Sequence, residues 1–273
     1  VRRIAAAAAV ALVCLSACAG GPAKALKDTA SSLSDVRSGA LTYDLAVTGT
    51  DGTKMGYRIE GPFALARPGK LPVADVTYTR TTGPTTTEAG LISDGDRAFV
   101  VLDGQAYTLP ESRLALLRAP SGDEGEGPNP LDALHVDDWV TDPRSAKGDG
   151  TVRVTGGLDV ATAINDVIDL MSQFGTGPVA GLHPIEDRDR ATLERAVKNS
   201  SFELVTGSDD HLLRRLVIDV AFAVPQGPGT EDLAKALPGA DFRMELAIDG
   251  ANRPVDVDVP TDALPFEQIG ASG

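Results

Sequence analysis

The chain has 273 residues, 39 acidic against 25 basic, and a formal charge of −14. That balance argues against nucleic acid or anionic headgroups held by a broad basic surface. An aromatic content of 4% leaves few rings for a sugar-stacking platform.

Arg2 and Arg3 precede an apolar run from Ile4 to Val13, and Leu15-Ser16-Ala17-Cys18 follows. A positive start, a short apolar run and small residues before a cut site are the parts of a secretory signal. The run is shorter than the about 20 apolar residues that cross a bilayer core. Leu15, Ser16, Ala17 and Cys18 resemble the lipobox of bacterial lipoproteins. That resemblance implies a diacylglyceryl group on Cys18, removal of residues 1–17 and a short tether over 18–23. Two acyl chains hold a protein stably on a membrane, where one holds it only marginally. The only other cysteine, Cys14, leaves with the leader, so no disulfide is expected and stability must come from a packed core. The remaining length suits one large domain or two small ones. The competing reading is an ordinary signal peptide cut nearby, with Cys18 incidental.

A helix is predicted from Leu26, Thr29/Ala30, Leu33 and Val36, ending at Ser38-Gly39. The pattern then changes to period two. Leu41, Tyr43, Leu45 and Val47 alternate with polar or small residues, and after Asp51-Gly52 the alternation resumes at Met55, Tyr57, Ile59, Gly61, Phe63 and Leu65. Asp-Gly between two alternating runs is a hairpin signature. Further strands are expected at Val73–Thr81, Thr86–Ser93, Ala98–Leu102 and Gln105–Leu109, turned by Asp94-Gly95 and Asp103-Gly104. A short helix is expected at Ser112–Arg118. Ser121–Asn129 reads as an acidic surface loop; Asp123, Glu124 and Glu126 lie close together there without the ligand spacing of an EF-hand.

A strand at Thr151–Thr155 leads through Gly156-Gly157 to Asp159, a candidate N-cap. The helix after it carries Val160, Ile164, Val167, Ile168 and Met171, with Leu170 and Phe174 widening the stripe. A polar helix is expected over Asp187–Asn199, then strands at Ser201–Thr206, Leu212–Val224, Ala240–Asp249 and Val255–Val259. Leu216, Ile218, Val220, Phe222 and Val224 alternate with charged and small residues, as do Phe242, Met244, Leu246 and Ile248. One face is wet and one is dry, as in an antiparallel sheet covered on one side. The expected organisation is a single α+β domain over 24–265, one continuous antiparallel sheet with helices on its dry face, and a tail over 266–273.

This layout resembles the LppX/LprG-type lipoproteins of mycobacteria and their relatives, which share the LolA/LolB-like fold. The phrases that carry the resemblance are Ser38-Gly39-Ala40, Asp94-Gly95, Asp103-Gly104, Val154-Thr155-Gly156-Gly157-Leu158-Asp159-Val160 and Asp209-Asp210-His211-Leu212-Leu213-Arg214-Arg215. It implies a curved half-barrel with helices against its concave face, an apolar cavity between them, and a lipid or acylated glycolipid as ligand. The cavity candidates are Val167, Leu170, Met171 and Phe174 on the long helix and Tyr57, Phe63, Val220, Phe222 and Met244 on the strands. Each also fits an ordinary core position, and a methionine is a good gap-filler there. The acidic loop at Ser121–Asn129 has no counterpart in the resemblance.

No hydrolase elbow, zinc-protease helix, P-loop or dinucleotide fingerprint is present. His135, His183 and His211 are scattered, and Asp209, Asp210 and His211 crowd one turn, a poor arrangement for a closed metal site. The chain is therefore expected to be no enzyme, with no cofactor, no metal and no nucleic-acid partner. The leading expectation is a membrane-anchored, extracytoplasmic lipid binder or carrier. The alternative is a structural or regulatory envelope lipoprotein without cargo, acting through protein contacts with a partner the sequence does not name.

Overall fold

The structure, a computed structural model, describes residues 21–118, 135–173, 184–223 and 239–269. Helix α1 (Pro22–Ser32) starts on a proline, whose missing N–H costs nothing in a first turn. Strands β1 (Ser38–Gly49), β2 (Lys54–Ala64), β3 (Val73–Thr82), β4 (Thr85–Asp94), β5 (Ala98–Leu102) and β6 (Gln105–Thr108) form a meander that ends in the short helix α2 (Glu111–Leu117). The second half contains β7 (Val140–Gly148), β8 (Thr151–Leu158), α3 (Val160–Gln173), α4 (Asp187–Ala196), β9 (Val197–Gly207), β10 (Leu213–Phe222) and β11 (Ala240–Asp249). A two-residue strand, β12 (Leu264–Pro265), and a 3-10 turn at Phe266–Gln268 follow.

Among the described residues, all twelve strands belong to one curved, unclosed sheet in the order β12-β6-β5-β4-β3-β2-β1-β11-β10-β9-β8-β7. Neighbours are antiparallel except β12 and β6, which run parallel. The half-barrel with helices on its concave face is thus the architecture the chain adopts. β1 is the seam between its halves: Leu45 lies opposite both Met244 and Tyr57, and Tyr43 opposite both Leu246 and Ile59. Because side chains alternate between faces, this register puts Leu41, Tyr43 and Leu45 on the same side as Ile59, Tyr57, Met244, Leu246 and Ile248.

The main core fills the concave side of β8–β11. Phe202, Leu204, Leu216, Ile218 and Ile248 are buried there under Leu26, Leu33 and Val36 of the first helical region, Trp139, and Val160, Ala161 and Ala163 of α3. Thr29 is also buried, and its hydroxyl donates to the Ala25 carbonyl at 2.8 Å, so its burial leaves no polar group unpaired. A second, small core joins Leu71, Ala98, Leu109 and Leu114, with Phe266 against it. The opposite face is charged. Arg153, Glu203, Arg215, Glu245, Arg243 and Asp219 form a chain of ion pairs that crosses β8 to β11.

Several elements differ from the sequence expectations. α1 ends at Ser32, with turns up to β1, because the last expected contacts, Leu33 and Val36, are buried from a turn. β8 continues through Gly156-Gly157 to Leu158, since those glycines let β7 approach: a Cβ on Gly156 would meet the Thr141 carbonyl at 2.6 Å. α4 stops at Ala196, and β9 begins at Val197, where it can pair with Phe222 of β10. Residues 255–259 form no strand although their exposure alternates. Pro254 and Pro260 bracket them, and β11, the strand they follow, is already paired on both sides by β1 and β10. β7, absent from the expectations, is a full strand. Cys18, the loop at 121–129, Phe174, His183 and Val224 lie outside the described residues.

Candidate functional site on the concave face

The two halves of the concave face are treated differently. Over β8–β11 helices and Trp139 cover it. Over β1–β4 it carries apolar side chains that the described residues only half cover. Successive rows of the register make this surface. One runs Tyr43–Ile59–Tyr78–Ala89–Leu102, a second Val76–Leu91–Val100 with Leu41–Gly61 alongside Val76, and a third Leu45–Tyr57–Arg80. Met55 is 51% exposed and Tyr78 37%, and Leu45, Tyr57, Ile59 and Val76 are half-buried. The main core borders this strip through Tyr43, Leu45 and Phe63, and the small core borders it through Leu91 and Val100. Between them Met55, Tyr57, Ile59, Val76 and Tyr78 form an apolar surface of a kind that marks contact with something other than water.

Its polar groups are few and arranged. The Tyr57 and Tyr78 rings stack with centroids 6.0 Å apart at 28°, and the Arg80 guanidinium lies 6.0 Å from the Tyr57 centroid. These are diagonal and direct cross-strand neighbours, the pairs that stabilise a sheet face. Burial raises the Tyr78 hydroxyl above its ordinary pKa, with the Tyr57 hydroxyl adding and Arg80 opposing. Tyr43, deeper at the seam, is raised by burial first and by Asp44 second. Both phenols therefore stay neutral far past physiological pH.

The expected cavity residues fall into three groups. Val220, Phe222 and Met244 are 4%, 6% and 7% exposed and pack within the main core. Phe63 and Tyr57 are half-buried, Phe63 against that core and Tyr57 on the open strip. Val167, Leu170 and Met171 belong to α3, but their side chains, like all of Phe174, lie outside the described residues. Met55, Ile59, Val76 and Tyr78 complete the strip and were not among the expected positions. Alternation marked their strands, but only the register shows that they share a row with the seam.

Three clefts formed by described residues lie off this surface. The largest, about 740 Å³, is at one rim of the sheet; the other two, about 430 and 310 Å³, are on the opposite face over β3–β5 and β8–β11. His135 is exposed, its ring Nδ1 3.5 Å from Asp166. His211 sits in a turn with φ of 55°, its Nε2 3.9 Å from Asp28. Asp210 accepts from the Leu212 N–H and pairs with Arg214. Among the described residues no group of three or more His, Cys, Asp or Glu is placed to hold a metal, and no helix is long and apolar enough to cross a membrane.

No protein-family model matches the chain, and no curated protein matches it. Among solved structures, the crystal structure of LprF from Mycobacterium bovis is similar at a TM-score of 0.44 and 12% identity, over 88% of this chain and 96% of that one. A likeness of that extent assigns no function.

Proposed function

We propose that this chain is an extracytoplasmic lipoprotein, anchored through an acylated Cys18, that holds a lipid or acylated glycolipid against the open half of its concave face, without catalysis. The observation that supports this reading is the apolar strip of Met55, Tyr57, Ile59, Val76 and Tyr78, left half-exposed between two cores. An acyl chain lying there would gain roughly 0.8 kcal/mol for each methylene removed from water. A few methylenes would then outweigh any single hydrogen bond, so a sharp polar motif is not required. The cargo-free alternative is favoured by one observation: Val220, Phe222 and Met244 are occupied by core packing rather than by a void.

The test uses the full-length chain carrying Cys18→Ser, expressed in a lipid-rich actinobacterial host and examined by native mass spectrometry and lipid extraction. An adduct bearing acyl chains, lost in Met55→Asp and Tyr78→Asp, supports the carrier reading. Those two positions are exposed enough to accept a charge without disturbing a core. A clean mass, together with refusal of added phospholipid and glycolipid, sinks the carrier reading and leaves the cargo-free one. Metabolic labelling with a fatty-acid analogue, present in the wild type and lost in Cys18→Ser, tests the anchor separately.

A further inference from the structure

The chain is acidic as a whole, yet the roomiest of the three clefts above is lined by four cations, Arg37, Arg67, Lys70 and Arg253, against two carboxylates, Asp94 and Asp96. The cleft lies at the rim where β1 and β3 begin and β2 and β4 end. The register row Ser38–Ala64–Val73–Asp94 forms its floor.

Its walls are fixed by hydrogen bonds. Arg67 and Lys70 stand at the two ends of a tight turn: the Lys70 N–H donates to the Arg67 carbonyl at 2.9 Å around Pro68-Gly69, with Gly69 at φ of 72°. On the other side, the Ser38 hydroxyl donates to the Arg253 carbonyl at 2.6 Å. Asn252 accepts from the Arg37 N–H at 2.7 Å and donates to the Asp35 carbonyl at 2.9 Å. Both carboxylates are already engaged, Asp94 by Arg97 and Asp96 by Lys70. Among the described residues, Arg67 and Arg253 make no ion pair and no side-chain hydrogen bond. Arg67 and Arg253 thus line one cleft, and among the described residues no carboxylate pairs with either of them.

We propose that this rim cleft binds a phosphate group, carried either by a lipid headgroup or by a small phosphorylated molecule. A guanidinium donates two parallel hydrogen bonds to phosphate oxygens, and two guanidinium-bearing side chains on one cleft suit a group with several such oxygens. A volume of about 740 Å³ is at the scale of a small-molecule site, so a polyol or sugar attached to the phosphate has room. The overall negative charge does not prevent this, because screening beyond roughly 8 Å at physiological ionic strength leaves the local cations to set the field. The site does not depend on lipid at the concave face.

The test is made on full-length chain carrying Cys18→Ser. Inorganic phosphate and glycerol 3-phosphate are titrated by calorimetry, and flotation is measured with phosphatidylcholine vesicles with and without phosphatidylglycerol. The expected result is binding that weakens about tenfold or more in Arg67→Ala/Arg253→Ala, the loss of charge-assisted hydrogen bonds. Arg144→Ala/Lys147→Ala removes the same charge from exposed positions on β7, at the far edge of the sheet, and should leave binding nearly unchanged. Binding of the soluble phosphates assigns a small phosphorylated ligand, and binding only to vesicles with phosphatidylglycerol assigns a headgroup. Equal weakening in the two double variants, or no binding in any arm, overturns the proposal. Circular dichroism on both variants separates loss of the site from loss of fold.

Discussion

The indole N–H of Trp139 donates to Asp166 Oδ2 at 2.7 Å, and the same oxygen accepts the His135 backbone N–H at 3.1 Å. Trp139 is fully buried, so α3 supplies the acceptor that makes its burial possible. Asp166→Ala leaves the indole N–H unpaired in the core, at a cost of about 1–3 kcal/mol. Asp166→Asn, which keeps an acceptor oxygen, costs less. Trp139 is the chain's only tryptophan, so urea unfolding followed by its emission reads both variants. Equal midpoints for Asp166→Ala and the wild type would rule the contact out as a stabilising one.

Asp159 joins α3 to α4. Its carboxylate caps α3 by accepting the Thr162 N–H at 3.1 Å, and Arg190 Nη1 donates to both its oxygens at 2.9 and 2.8 Å. Burial alone would raise this carboxyl, but the Thr162 N–H and the Arg190 guanidinium outweigh it and hold the pKa below the ordinary carboxylate value. A depressed folded-state pKa stabilises the fold above the unfolded value, about pH 4, and that contribution disappears as pH falls through the lower folded value. Asp159→Asn should therefore melt earlier than the wild type at neutral pH, with the gap closing as the solution is acidified. A gap that widens in acid would contradict the assignment.

Tyr43 makes the opposite prediction at the alkaline end. Its pKa is raised by burial and then by Asp44, so the folded state favours the neutral phenol. Its contribution is intact below the unfolded value of about 10 and is lost as pH rises through the higher folded value. Tyr43→Phe should flatten the alkaline loss of stability, and phenolate absorbance should show one fewer late-ionising tyrosine in the folded variant than in the wild type, where Tyr43 and Tyr78 are both raised. If the variant and the wild type lose stability in parallel above pH 10, the seam is wetter than described.

Gly61 has a φ of 139°, and a Cβ there would lie 2.0 Å from the Asp75 carbonyl oxygen. Backbone rather than a flexible side chain stands in the way, so β2 and β3 must part. Gly61→Ala is expected to cost at least about 1–3 kcal/mol from strain alone. Gly83→Ala, with open space around its Cβ but a similarly positive φ of 57°, serves as the milder comparison. Thermal melts that rank the two in the reverse order would refute the close approach.

The strands from Ser38 to Thr108 were legible because each has a dry face, and alternation reports a dry face directly. β7 was not. Its residues Val140–Gly148 are mostly exposed, Asp142 has a φ of 49°, and the pairing with β8 shifts between Thr141 and Arg144. No period survives such a combination. Residues 255–259 failed in the other direction, since alternation shows which side chains face inward and is silent on whether a neighbouring strand has a free edge. The cation cleft was hidden by averaging. Arg37, Arg67, Lys70 and Arg253 come from separate segments of an acidic chain, and only the sheet's rim brings them together. Cavity candidates on the strands were located by face, but face alone does not separate the packed Phe222 from the open Tyr57.

An open sheet ends in two unpaired edges, and an unpaired edge is a template on which a second copy can add its own strands. At one end the last long partner, β6, is followed by Leu264-Pro265, and Pro265 has no N–H to offer a newcomer. At the other, β7 presents Pro143, Arg144 and Lys147 on a strand distorted at Asp142. The half-barrel can thus remain unclosed, its concave side reachable, while its borders resist polymerisation into a continuous ribbon.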